Sequence, residues 1–267
     1  PCAVPRWIIA HPDTVRTLLD RAAALGPDSA VDELRKTDWS YRDDEGSSLV
    51  HWSVRLSNPA ATHGLLLAGL PADLPDLNGV TPLMVAAGRG DAWQMEMLLD
   101  AGANASAKNV LGQTPLMYLA ASCFPVLPER IDPLYWGVPD PALPRLVAAG
   151  ADVNARDRRG HTALMHATRG SGLRVRQLLA AGADPHRVDA IGRKTGEIAA
   201  AGFESEDKAY ILELITRAAS VANWSALPPE RRDALLAEVD PRHFGKRDDP
   251  KRPYDFPVDS MGILPYR

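Results

Sequence analysis

The chain of 267 residues is poor in cysteine, with only Cys2 and Cys123. Two thiols are too few for a disulfide scaffold or for a four-cysteine zinc site. They leave two readings open: one Cys2–Cys123 bridge formed in an oxidising compartment, or two unpaired thiols. Long apolar runs are lacking as well. Nothing approaches the roughly 18 unbroken apolar residues of a membrane-crossing helix, so a soluble chain is expected. Neither sign of charge dominates: 30 basic and 34 acidic residues leave a net charge of −4, which gives no bulk attraction to nucleic acid or to an anionic membrane. Lysine is scarce among the bases, and that skew, with abundant alanine, points to a GC-rich bacterial coding sequence. Residue 1 is Pro, and no charged-then-apolar leader precedes the fold. A signal segment is therefore not expected within this chain, and the compartment, cytoplasm or periplasm, stays open.

Catalytic signatures are missing too. There is no G-x-S-x-G elbow, Walker loop, H-E-x-x-H or C-x-x-C. His161 and His166 are five apart, a spacing that does not put two side chains on one helix face, and they are not expected to pair as metal ligands. Cys123 has no base at a motif distance. Carboxylates are plentiful, but most fall in turns, where Asp and Asn hydrogen-bond locally. No catalytic residue, metal or cofactor is expected, and the chain is read as a non-enzyme.

What the sequence does contain is ordinary globular composition, 45% hydrophobic and 24% charged, organised by a repeat. Glycines preceding Ser or Thr recur at Gly46, Gly79, Gly112 and Gly160, with a fainter one at Gly192, in steps of 33, 33, 48 and 32. A second series, Gly69, Gly102, Gly150 and Gly182, advances by 33, 48 and 32. Two markers drifting together define one repeat with an insertion of about 15 residues in its third unit.

Between the markers the second unit reads Thr81-Pro82-Leu83-Met84-Val85-Ala86-Ala87, then Leu98-Leu99-Asp100-Ala101-Gly102. The third carries Thr114-Pro115-Leu116-Met117, and the fourth Thr162-Ala163-Leu164-Met165 with Leu178-Leu179 and Gly182. A weaker first unit has Ser48-Leu49-Val50-His51, and a fifth begins at Gly192. This text resembles the ankyrin repeat, about 33 residues with a T-P-L-H-x-A core. In each unit Thr caps helix A and Pro fills its first turn. The Leu pair of helix B faces inward, and the closing Gly ends that helix. The methionines standing where the family has His read as core filling, and His51 is expected to bond within its own turn. Leu119, where alanine is usual, predicts looser or shifted packing in the third unit. The expected fold is all-α: a solenoid of stacked helix-turn-helix units with β-turn fingers, since each unit alone leaves its apolar face wet.

Three regions follow. Residues 1–42 are expected to be an N-terminal helical cap containing a degenerate helix B around Val15, Leu18 and Leu19. Residues 43–215 form the repeat domain, with an insertion at 122–144. Residues 216–267 contribute a short helix from Pro228 to about Val239 and an extended tail. Six prolines in the insertion forbid a regular helix through most of it. Its apolar load, Tyr135 and Trp136 included, must pack either on the chain itself or on a partner. Family resemblance implies binding through finger tips and the helix-A face. The expected partner-binding residues are Tyr135, Trp136, Asn109, Leu111, Arg156, Arg158, Arg159 and Arg187. Basic fingers at one end and Asp43, Asp44, Glu45, Asp73 and Asp76 at the other suggest a charge gradient that orients a partner. The resemblance implies a monomeric, non-catalytic protein-binding module. Its expected role is a bacterial inhibitor or immunity-type protein that occludes a toxin or enzyme. A secreted effector or a partner-stabilising factor are the alternatives.

Overall fold

A computed structural model describes residues 12–24, 41–122, 141–202 and 207–239. The terminal tail beyond 239, Cys2, Cys123, Tyr135 and Trp136 lie outside the described residues. Twelve α-helices occur among the described residues, with no regular strand. They are α1 (Pro12–Ala23), α2 (Leu49–Arg55), α3 (Pro59–Leu67), α4 (Pro82–Gly88), α5 (Ala92–Asp100) and α6 (Pro115–Ala121), then α7 (Ala142–Ala148), α8 (Ala163–Ala167), α9 (Gly172–Ala180), α10 (Thr195–Ala201), α11 (Lys208–Ala219) and α12 (Pro229–Ala237).

Local chemistry sets the helix starts. Thr81, Thr114 and Thr162 are extended N-caps whose hydroxyls accept the N–H of Met84, Met117 and Met165. Pro82 and Pro115 follow in the first turn, where a missing N–H costs no hydrogen bond. Ser48 does the same work for α2 with a reciprocal partner: His51 Nδ1 lies 3.1 Å from the Ser48 N–H and 2.9 Å from its hydroxyl. Gly102 and Gly182 end helix B with φ of +87° and +92°, backbone that a Cβ would strain.

Two rows of helices result. Helices α2, α4, α6, α8 and α10 pack neighbour to neighbour as one row, and the second helices of the units lie behind them. Met84, Met117 and Met165 are buried, as core filling requires. Leu119 is also fully buried. The expected loosening leaves no trace in the fingers of its unit, which keep the same 2.9 Å hydrogen bonds to their neighbours on both sides. The insertion lies in the sequence between α6 and α7, where a unit passes from helix A to helix B. Pro144, within α7, occupies its first turn, where no backbone donor is needed.

Both ends of the stack are covered. At the N-terminal end α1 packs on α3 as a preceding helix B would, burying Val15, Leu19 and Ala22. At the other end α12 lies on α9 and α11. Trp224, buried, donates Nε1–H to the Leu179 carbonyl at 3.0 Å, and Arg232 donates Nε–H to the Ala180 carbonyl at 2.9 Å. A tryptophan and a guanidinium thus satisfy carbonyls at the C-terminus of α9, where positive charge is favoured.

Close approach of α1 and α3 rests on a missing side chain. A Cβ at Gly64 would sit 1.7 Å from the Ala22 carbonyl oxygen. Replacing a mid-helix glycine by alanine ordinarily stabilises by about 0.5–1 kcal/mol. Here Gly64→Ala is expected to destabilise instead, by about 1–3 kcal/mol, with early proteolysis of the α1 segment. Urea unfolding and limited proteolysis check the reversal of sign.

Candidate functional site

Each finger is built on one acceptor oxygen. Asp43 Oδ1 accepts the N–H of Glu45 and Ser47, at 2.9 and 2.6 Å. Asp76 Oδ1 accepts those of Asn78 and Val80, and Asn109 Oδ1 those of Leu111 and Gln113. Asp157 Oδ1 takes Arg159 and His161, and Asp189 Oδ1 takes Ile191 and Arg193. The five anchors share the spacing of the glycine markers. Their side chains are shielded from solvent, and Asp43, Asp76 and Asn109 therefore serve the turn rather than a partner. For Asn109 this differs from its expected role. Its amide is also used internally, donating to Gln113 Oε1 and to the Tyr118 hydroxyl at 3.0 Å each.

A second regularity ties finger to helix nine residues on. Trp52 Nε1–H donates to Asp43 Oδ2 at 3.0 Å, Asn109 donates to the Tyr118 hydroxyl, and His166 Nε2–H donates to Asp157 Oδ2 at 3.1 Å. In the second unit the corresponding residue is Val85, and Asp76 Oδ2 instead faces Arg55 at 3.9 Å. Successive fingers are then joined by backbone hydrogen bonds: Leu77 N–H to Glu45 O, Val110 to Asn78, Arg158 to Leu111 and Ala190 to Arg159, all 2.8–2.9 Å. The third and fourth fingers stay in register although the insertion separates them in sequence.

The finger edge displays apolar tips. Leu77 is 74% exposed and Ile191 75%, with Val110 and Leu111 also exposed between them. Arg158 and Arg159 project from the fourth finger, both exposed. Arg156 is partly spent within the fold, donating to the Gly160 and Val188 carbonyls, and Arg187 pairs with Asp184 at 3.2 Å. At the acidic end, burial of Asp43 and Asp76 leaves Asp44, Glu45 and Asp73 as the acidic residues of the edge. A separate set of exposed apolar residues, Leu56, Trp93 and Leu173, marks the A-to-B turns at the far end of helix A. Sequence reading missed Leu77 and Ile191, although both stand one or two places after an anchor.

His161 and His166 come together after all. His161 lies before α8 and His166 on it, so the spacing rule for a single helix does not govern them. Their ring centroids are 5.5 Å apart in a T-shaped arrangement. Donor atoms of Asp157, His161 and His166 all lie within 4.8 Å of one another. Burial holds the His161 imidazole below its ordinary pKa, against the pull of Asp157. Burial works to raise Asp157, but the His166 hydrogen bond and the His161 N–H outweigh it and the carboxyl titrates low. Asp189 is lowered likewise, by the side chain and N–H of Arg193 over the cost of burial.

Residues 159–190 match the family model described as Ankyrin repeat. Among curated proteins, the E3 ubiquitin-protein ligase KEG of Arabidopsis thaliana is 30% identical over 154 residues, covering 57% of this chain and 8% of that protein. Alpha-latrotoxin-Lt1a of Latrodectus tredecimguttatus is 29% identical over 158 residues, 55% of this chain and 10% of the toxin. The ARF GTPase-activating protein GIT1 of Homo sapiens is 37% identical over 98 residues, 34% of this chain and 13% of that protein. The chain thus spans about a tenth of the length of these relatives.

Two outcomes are expected from this geometry. Asp76→Asn keeps the Oδ1 acceptor, as Asn109 does in the third unit, and should cost less than about 1 kcal/mol. Asp76→Ala strands two N–H groups and should cost about 2 kcal/mol or more in denaturant unfolding. The second concerns His51, whose Nε2 lies 3.0 Å from the Val80 carbonyl. Burial pushes its pKa down to about 4 despite that bond. The unfolded chain takes up this proton near pH 6.5 and the folded chain resists it. The stability it contributes is therefore whole above pH 6.5 and is lost as pH falls toward 4. His51→Gln, which can still close the capping box, should remove about 2 kcal/mol of the loss between pH 7 and 4.5, as urea midpoints at the two pH values will read.

Proposed function

We propose that this chain, whose residues 159–190 match the Ankyrin repeat family model, is a protein-binding module of ankyrin-repeat type that grips its partner along the finger edge and the adjoining helix-A face. The observation that carries this is the row of exposed aliphatic tips, Leu77, Val110, Leu111 and Ile191, on fingers already fixed by buried anchors. Apolar groups held rigid before contact lose little entropy on binding, which favours affinity. Arg158 and Arg159 beside that row, with Asp44 and Glu45 at the far end, supply a polar rim that orients the partner. An interface of about 800 Å² per side is typical for such a surface. Tyr135 and Trp136 remain proposed contributors, on the segment inserted in the sequence between α6 and α7.

The proposed mode of action is occlusion: a non-catalytic inhibitor or immunity-type protein that covers a toxin or enzyme. Co-purification from the native organism identifies the partner. Loss of that partner's activity on adding stoichiometric chain supports occlusion, whereas a partner stabilised with its activity intact supports the alternative of a supporting factor. With the partner in hand, Leu77→Asp and Ile191→Asp should each weaken binding at least about tenfold with melting temperatures unchanged, and Trp93→Ala should leave affinity alone. If calorimetry shows a loss for Trp93→Ala but none for the finger variants, the surface is the A-to-B end instead, and a loss for Trp136→Ala adds the inserted segment to the interface.

A further inference from the structure

Every unit has the same two places beside its finger anchor, four and nine residues on. The residues there are Ser47 and Trp52, Val80 and Val85, Gln113 and Tyr118, His161 and His166, and Arg193 and Ile198. The link from anchor to helix accounts for His166, since Trp52 and Tyr118 make equivalent bonds in their own units. It does not account for His161. Only the fourth unit sets imidazoles at both places around a carboxylate. We propose that Asp157, His161 and His166 form a binding site for one first-row divalent transition-metal ion of the zinc type.

The donor set and its support fit such an ion. Two imidazoles and one carboxylate are borderline ligands that suit zinc rather than calcium or magnesium. Asp157 is pre-oriented: its Oδ1 is held by the N–H groups of Arg159 and His161, at 2.9 and 2.8 Å, which turns Oδ2 toward the His166 ring. Zinc holds its ligands at about 2.0–2.2 Å, so neighbouring donors stand about 3.3 Å apart. The donor atoms here lie within 4.8 Å of one another, so closing on an ion needs imidazole rotations of about an ångström. Both rings keep access to solvent, with side chains 16% and 18% exposed. A second carboxylate, Asp189 Oδ2, stands 3.7 Å from His161 Nε2, placed either to orient that ring or to complete the coordination. The opposing charges are Arg193, whose Nε is 2.8 Å from the same Asp189 oxygen, and Arg169 near His161.

The third unit supplies the test variants. His161→Gln and His166→Tyr install the residues that Gln113 and Tyr118 place at the same positions, so the finger link survives while a ligand is lost. The full chain, stripped with EDTA, is titrated with Zn²⁺ against a chromogenic chelator. One ion should bind per chain with micromolar affinity or better and raise the melting temperature. Each variant, folded by circular dichroism, should lower that affinity by at least about tenfold. In the wild-type chain, Zn²⁺ should shift the ring nitrogens of His161 and His166 in ¹⁵N spectra, a readout that needs no variant. Absence of stoichiometric binding overturns the proposal. So does binding that both folded variants retain, which would place the ion on other histidines or on Cys2 and Cys123, or a spectrum in which these two rings do not respond.

Discussion

A single side-chain oxygen at each finger base accepts two backbone N–H groups, and the edge of the molecule takes its spacing from that arrangement. Such a carboxylate or amide, shielded from water, satisfies donors that a tight turn would otherwise leave bare. The left-handed glycine that follows, as at Gly79 with φ +74°, lets the chain reverse within three residues. Neighbouring fingers then meet closely enough for one to donate to the next. The anchor sets this geometry locally, unit by unit.

The same arrangement explains why the third unit tolerates its insertion. Extra residues enter between α6 and α7, beyond the C-terminal end of helix A, whereas the finger and its anchor precede helix A. Arg158 still donates to the Leu111 carbonyl at 2.9 Å. Length at one end of a unit and register at the other are separate variables. Arg145 of α7 pairs with Asp100 of α5, so the second row of helices is also tied across the unit that carries the insertion.

Much of this was legible in the residues. Thr-Pro pairs, doubled leucines and two glycine series fix helix starts, inward faces and stops, because each is a local requirement of the backbone. The capping role of His51 was legible for the same reason. What could not be read depends on distance in space. Five-residue spacing separates His161 from His166 only if both lie on one helix, and a turn intervenes. Asn109 looked like a finger-tip side chain, yet its position four before Gln113 and nine before Tyr118 turns it inward. Trp224 and Arg232 bear no repeat signature, and their targets on α9 lie about fifty residues back in the chain. Comparing the residues four and nine places after each anchor would have exposed the histidine pair, because only the fourth unit carries an imidazole at both.

A repeat array has no intrinsic reason to stop, since the surface that receives the next module is the one the last module presents. Trp224 and Arg232 occupy acceptor groups that a further helix or a neighbouring molecule would otherwise claim. The lid they form with α12 makes this end unlike the joints inside the array. It thereby discourages end-to-end concatenation into filaments, and it leaves the lateral finger edge uncovered by this lid.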